Sequence, residues 1–307
     1  MEHALEITDL NHRFGIPEIV KIVEGHGGLT KVEVTSRSAQ GEIYLHGAHV
    51  TSWIPADEEE VLFVSSQSQW NESRPIRGGV PVCFPWFSNK ADDVNAPMHG
   101  FARTTAWQLE SVVQTGNTVT VGMFIESDDT TKKWWPADFR AVLRATFGPE
   151  LILELDVLNT GKTSFRFEEA LHTYFRVGNI ETVLVKGLNG VDYVDKNDDK
   201  RKKTQDGAIA IVSETDRVYL NTDAIVDLED PALRRQITIA KENSMATVVW
   251  NPWIQKAKAM ADFGDKEWPH MICIETCNVG DSFVELMPGQ HHQMQAIVRV
   301  SNLKQTA

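Results

Sequence analysis

The chain has 307 residues, with 43 acidic against 30 basic side chains and a formal net charge of -13. That is enough for two average domains, or for one large all-β domain with a substantial core. The acidic balance argues against nucleic acid or an anionic membrane as the main partner, and no stretch approaches the roughly eighteen uninterrupted apolar residues of a membrane span.

The N-terminus, M-E-H-A-L-E-I-T-D-L, is acidic and lacks the basic-then-apolar order of a signal peptide. Three cysteines, Cys83, Cys273 and Cys277, are an odd, sparse set that fits a reducing cytoplasm. Residues 1–29 are weakly periodic, contain Pro17 and H-G-G, and read as a peripheral segment that holds a short helix or packs as a lid. From there the pattern is β. Apolar-alternating runs stand at 31 (K-V-E-V-T), 42 (E-I-Y-L-H), 60 (E-V-L-F-V) and 118 (T-V-T-V-G-M-F-I). F-R-A-V-L-R-A-T-F at 139 and L-I-L-E-L-D-V-L at 151, joined by G-P-E, read as a hairpin; N-T-G-K-T then turns the chain into S-F-R-F-E-E-A-L-H-T-Y-F. Further runs begin at 182, 208, 236, 246, 271 and 292. Many β-branched runs with turn signals every ten or so residues predict antiparallel sheets packed as a sandwich or barrel. Helical candidates are short, T-T-K-K-W-W-P at 130 and W-I-Q-K-A-K-A-M-A at 253, and no βαβ rhythm appears. D-K-N-D-D-K-R-K-K-T-Q-D at 195 mixes both signs and reads as a solvated loop. With no repeat and no linker, one domain over 1–307 is expected.

One stretch is unusually dense in demanding residues: R-P-I-R-G-G-V-P-V-C-F-P-W-F from Arg74, then M-H-G-F-A-R-T-T-A-W ending at Trp107. Gly78 and Gly79 allow turns that a Cβ would block, and three prolines remove donors. Arg74, Arg77, Lys90, His99 and Arg103 face only Asp92 and Asp93 there, among several aromatic residues. A pocket for an anion with a sugar-sized apolar wall needs such a mixture; the plain alternative is an irregular loop whose arginines pair with surface carboxylates. Alternation in L-H-T-Y-F sets His172 and Tyr174 on one face, Leu171 and Thr173 on the other. An imidazole there can exchange a proton or serve as a hydrogen-bonded structural group. In M-I-C-I-E-T-C-N, Glu275 shares a face with Cys273 and Cys277, either buried at a cost and functional or pointing outward from a half-exposed strand. Asp216, in D-R-V-Y, is a hydroxyl acceptor or one end of a salt bridge.

R-G-G-V-P-V-C-F-P-W-F, H-G-F-A-R, L-H-T-Y-F, D-R-V-Y and C-I-E-T-C-N, in that order, resemble the hexose-6-phosphate mutarotases, the glucose-6-phosphate 1-epimerase branch of the aldose 1-epimerase (galactose mutarotase) superfamily. The likeness runs from about residue 40 to about 287. It implies a large antiparallel β-sandwich of galactose mutarotase type with a few short helices. It also implies His172 as general acid, Glu275 as general base, His99 as a substrate-orienting histidine and Asp216 as acceptor from sugar hydroxyls. Arg77 and Arg103, inside the two motifs, are the expected phosphate ligands, with Arg74 on the rim. Met98 before His99 is a departure that bears on contacts near the anomeric end.

The implied reaction, interconversion of the α and β anomers of a hexose 6-phosphate, needs proton traffic alone and no cofactor or metal. The starting state it calls for is a protonated imidazole beside an ionised carboxylate. Two rivals stay open at this stage. One is a metal-dependent β-barrel enzyme using His99, His172 and Glu275; the other is a non-catalytic carbohydrate-binding sandwich with Trp70, Trp86, Trp134 and Trp253 as platforms. A cytoplasmic monomer acting on a small sugar phosphate is the overall expectation.

Overall fold

Alternation decides the architecture. In the strand Glu150–Asn159 every second residue, from Leu151 through Leu153 and Leu155 to Val157, is buried, and each such side chain contributes about 1.5–3 kcal/mol on leaving water. The computed structural model describes residues 2–303. Glu150–Asn159 forms the expected hairpin with Phe139–Phe147 and lies inside a nine-stranded antiparallel sheet that also contains Arg235–Glu242 and His291–Asn302. A second, eight-stranded sheet faces it and runs through Thr215–Leu220, Ala246–Asn251, Met271–Asn278 and Glu169–Leu171 to Val82–Cys83. The two inner faces meet in one apolar core, where Val249, Ile272 and Ile274 pack with Leu153, Leu155 and Val298. This is an all-β sandwich; the helices are short apart from Glu2–Phe14.

The alternate residues of the eight-stranded sheet point away from that core and would be exposed on a plain sandwich. They are buried too. Tyr174, Val248, Trp250, Cys273 and Cys277 form a second cluster, covered in part by the helix Trp253–Ala259 and the loop that carries Phe263. Met271–Asn278 is buried on both faces along its whole length. That outer cluster floors the site. All three cysteines are buried as free thiols.

Several expectations are corrected. E-V-L-F-V at 60 makes only isolated bridges, Leu62 to Phe175 and Val64 to Gly78, because the Glu60 carboxylate takes the Trp53 and Leu62 amides that a continuous ladder would use. S-F-R-F-E-E-A-L-H-T-Y-F is divided among three short strands, the first of which pairs with Val284–Leu286 outside the main sheets. The charged run at 195 is not a plain loop: Asp192–Asp195 and Arg201–Thr204 pair as an edge hairpin, and Lys196 reaches a pocket. Part of the segment 1–29 is built into the fold rather than laid upon it. Its strand Val20–Glu24 pairs with Thr30–Thr35, Val20 and Ile22 enter the main core, and the Asn11 side chain bonds both backbone groups of Ile22, which blunts an open sheet edge.

Candidate active site

The site begins with register. Ala170 pairs with Cys277 and Leu171 with Thr276; after a two-residue gap Tyr174 pairs with Cys273 and Phe175 with Ile272. The register is the same on both sides of the gap, so His172 lies opposite Glu275. The gap opens where the Thr173 N–H turns back to Leu171 O (2.9 Å), while the His172 and Tyr174 amides on the other side donate to Pro81 O (3.0 Å) and Gly79 O (2.9 Å). The R-G-G-V-P segment thus lies along the other side of L-H-T-Y-F. Its two glycines are required there: Gly78 and Gly79 have φ of 119° and 57°, and a Cβ on either would come within 2.3 Å of a backbone oxygen.

This arrangement sets His172 Nε2 3.3 Å from Glu275 Oε1 on the floor of a pocket of about 360 Å³. The Glu275 side chain is 1% exposed, and neither its Oε2 nor His172 Nδ1 has a hydrogen-bond partner within the protein. Tyr174 stacks on the imidazole at 4.9 Å, and Trp250 meets it edge-on. Burial foremost, then the Arg103 and Arg77 guanidiniums, hold His172 well below its ordinary value. Burial pushes Glu275 well above the usual carboxylate range; Lys196 and Arg103 pull it down while Asp216 pushes it up. These surroundings favour a carboxylic acid beside a neutral imidazole. That arrangement carries the same number of protons as the ionised pair expected from the sequence, distributed the other way.

His99 stands at φ 64° at the neck of the loop 88–99, its amide donating to Ser88 O (2.7 Å). Ser88 N–H in turn donates to His99 Nδ1 (3.2 Å). Burial and the neighbouring Arg103 lower its proton affinity, so the neutral ring carries its hydrogen on Nε2 as a donor. Asp216 lies on the far side of Trp250, its cross-strand neighbour, and also lines the pocket.

The two arginines of the motifs differ. Arg77 is already engaged: Nε and Nη2 donate to Asp262 Oδ2 (3.1 and 3.0 Å) and Nη1 to Tyr174 OH (2.9 Å). Arg103, only 8% exposed, donates through Nη2 to Met98 O (2.7 Å), and its Nε has no partner. Among the described residues no carboxylate pairs with it. A buried guanidinium without a counter-ion costs roughly several kcal/mol, and its fork suits an oxyanion. Arg74 is exposed and is not a lining residue. Sequence reasoning missed Lys196, Lys256 and Asp262. Lys196 was hidden in a charged run, and Asp262 stands 185 residues along the chain from the arginine it meets.

Residues 30–299 match the aldose 1-epimerase family. A Cenchrus ciliaris protein named "putative glucose-6-phosphate 1-epimerase" is 36% identical over 281 residues, 88% of this chain and 84% of that one. An Escherichia coli K12 protein of the same name is 37% identical over 255 residues, 83% and 85% of the two chains. The crystal structure of a "putative mutarotase" from Salmonella typhimurium superposes with a TM-score of 0.88 at 30% identity, covering 94% of this chain and 96% of that one.

Proposed function

Because the chain belongs to the aldose 1-epimerase family, we propose that it interconverts the α and β anomers of a hexose 6-phosphate, with Glu275 and His172 exchanging the protons. The observation that carries this reading is the buried pair at 3.3 Å, its free Oε2 and Nδ1 atoms, and the uncompensated Arg103 guanidinium in the same pocket. The names of the plant and bacterial relatives support the 6-phosphate.

Glu275 takes the O1 hydroxyl proton while His172 gives a proton to the ring oxygen. The C1–O5 bond breaks, its electron pair stays on O5, and C1=O1 forms. Rotation about C1–C2 offers the other carbonyl face, and the reverse transfers close the ring. Ring opening turns an ionised pair into a carboxylic acid and a neutral imidazole, the arrangement that burial favours. The dry floor therefore assists the opening step. A phosphate dianion against Arg103 cancels the guanidinium field that lowers His172, so binding favours the protonated imidazole the cycle starts from. Phosphate binding remote from C1 also orients the reacting end. His99 Nε2–H and Asp216 supply a donor and an acceptor for sugar hydroxyls, and Arg77 is a second phosphate ligand pre-oriented by Asp262 and Tyr174.

We read the chain as one domain, since the main apolar core is continuous from Val20 to Val298. We also read it as a cytoplasmic monomer, since one chain supplies every lining residue and its cysteines are free thiols. Among the described residues, no helix is long and apolar enough to cross a membrane. The test is NMR exchange between the anomers of glucose 6-phosphate with EDTA-treated protein. Faster exchange than in buffer is expected; an unaltered rate with folded protein would overturn the enzyme reading.

A further inference from the structure

Lys196 stands in the pocket without a role in the reaction just described. It follows the edge strand Asp192–Asp195, and its backbone N–H donates to Asp216 O (2.9 Å), so the main chain sets its station. Its ammonium lies 4.8 Å from the centroid of the Phe87 ring and 3.6 Å from Asp216 Oδ1. The second distance is longer than a charge-assisted hydrogen bond, which closes at about 2.7–2.9 Å. The ammonium is thus held in the pocket without being tied to one carboxylate. Its neighbours in the charged run behave otherwise: Lys203 bonds Asp195 and Asp198 on the surface, and Arg201 pairs with Asp198.

We propose that Lys196 is a positioning residue for the proton transfer, its ammonium stationed by Asp216 and Phe87 to hold Glu275 as a carboxylate when substrate enters. The inference rests on the reading of Glu275 and His172 as the exchanging pair. The charged and titratable groups around Glu275 are His172 opposite it, the thiols of Cys273 and Cys277 on its own strand and of Cys83 beyond the returning segment, Lys196 and Asp216 from beyond the neighbouring strand, and Arg103 from the H-G-F-A-R turn; Arg77, His99, Tyr174 and Lys256 line the same pocket. Among the cations Lys196 acts most strongly on Glu275, whereas Arg103 acts most strongly on His172. Their duties diverge once substrate is bound. A phosphate at Arg103 neutralises that guanidinium and adds negative charge to the pocket, and both effects oppose ionisation of Glu275. Lys196 is then the cation left to support it.

The experiment is the pH profile of kcat on glucose 6-phosphate, which reports the substrate complex, for Lys196→Met and Lys196→Arg, with Glu275→Gln assayed alongside. Loss of a positive charge raises the proton affinity of both members of the pair. Both limbs of the Lys196→Met profile therefore move to higher pH, by about one unit, the low end of what a nearby charge does, and the rate on the acid limb falls about tenfold. Lys196→Arg restores both limbs. Lys196→Gln gives the same shift, should methionine disturb the edge hairpin. Limbs that stay at their wild-type positions overturn the inference whatever the height of the profile, including the case in which KM alone rises because Lys196 binds a hydroxyl. An active Glu275→Gln removes the reading of the pair, and this inference with it. An inactive Glu275→Gln beside unmoved limbs in Lys196→Met removes the inference alone.

Discussion

Among the described residues two histidines each meet a buried glutamate, and their surroundings give the two pairs opposite properties. In the pocket His172 Nε2 lies 3.3 Å from Glu275 Oε1; between the sheets His292 Nε2 lies 3.0 Å from Glu169 Oε1. Both glutamates are nearly or wholly inaccessible, and in both the second oxygen has no partner. Around His172, burial and two guanidiniums push proton affinity down. At His292 burial also lowers it, but the hydrogen bond and charge of Glu169, with Asp156 beyond, win and raise it. Asn278 completes the second pair, donating to Glu169 Oε1 (2.9 Å) and Asn243 O (2.8 Å). A histidine beside a buried carboxylate thus gains proton affinity where the carboxylate dominates its surroundings, and loses it where two guanidiniums stand close.

The sharpest way to break this comparison is to neutralise each carboxylate. Glu275→Gln is expected to lower kcat about 10²–10⁴-fold, the usual scale for one acid–base group, with little change in melting temperature. Glu169→Gln should leave kcat within a few-fold but destabilise the fold by roughly 3–5 kcal/mol, as removal of one partner of a buried pair does. Steady-state kinetics and thermal melts on both variants check this, and a kcat loss in Glu169→Gln matching that of Glu275→Gln would end the distinction.

A smaller effect comes from the arginines that make the first pair different. Arg103→Ala should lower kcat/KM on glucose 6-phosphate by about 1.5–3 kcal/mol, roughly 10–150-fold, with no comparable loss on free glucose. Arg77→Ala strands Asp262 and Tyr174 and should lower the melting temperature as well. Equal losses of Arg103→Ala on both substrates would assign that guanidinium to structure.

The smallest effect is in stability against pH. His292 is raised above its unfolded value, so its contribution is fully present below about pH 6.5 and is lost as pH rises through its folded value. The melting gap between the native protein and His292→Gln should therefore be widest in mild acid and close by about 2 °C or more on the alkaline side. His172 is lowered, so the folded state binds fewer protons than the unfolded chain below about pH 6.5. His172→Gln should gain on the native protein as pH falls, the opposite slope. Parallel slopes in the two variants would contradict the assigned directions.

Much of this was legible in the chain. Alternation in M-I-C-I-E-T-C-N separated Ile272 and Ile274 from Glu275, and the fold sends those faces to the main core and to the pocket. The glycine and proline pattern of R-G-G-V-P marked a segment that could not be a central strand. The motifs named His172, Glu275, His99, Asp216, Arg77 and Arg103, and all six line one pocket. Arg74, set on the rim by its place outside the two motifs, is exposed and does not line that pocket.

The sequence by itself determined the periods, the turns and which side chains share a strand face, because these depend on neighbours two to four residues away. Only the tertiary structure decided charge. Arg77 is engaged because Asp262 comes to it from 185 residues along the chain, and Arg103 has no such partner among the described residues. Lys196 faces a pocket while Lys203 faces solvent within one run. Proton affinity depends on burial and on distances between groups, and those exist only after strands far apart in sequence have paired.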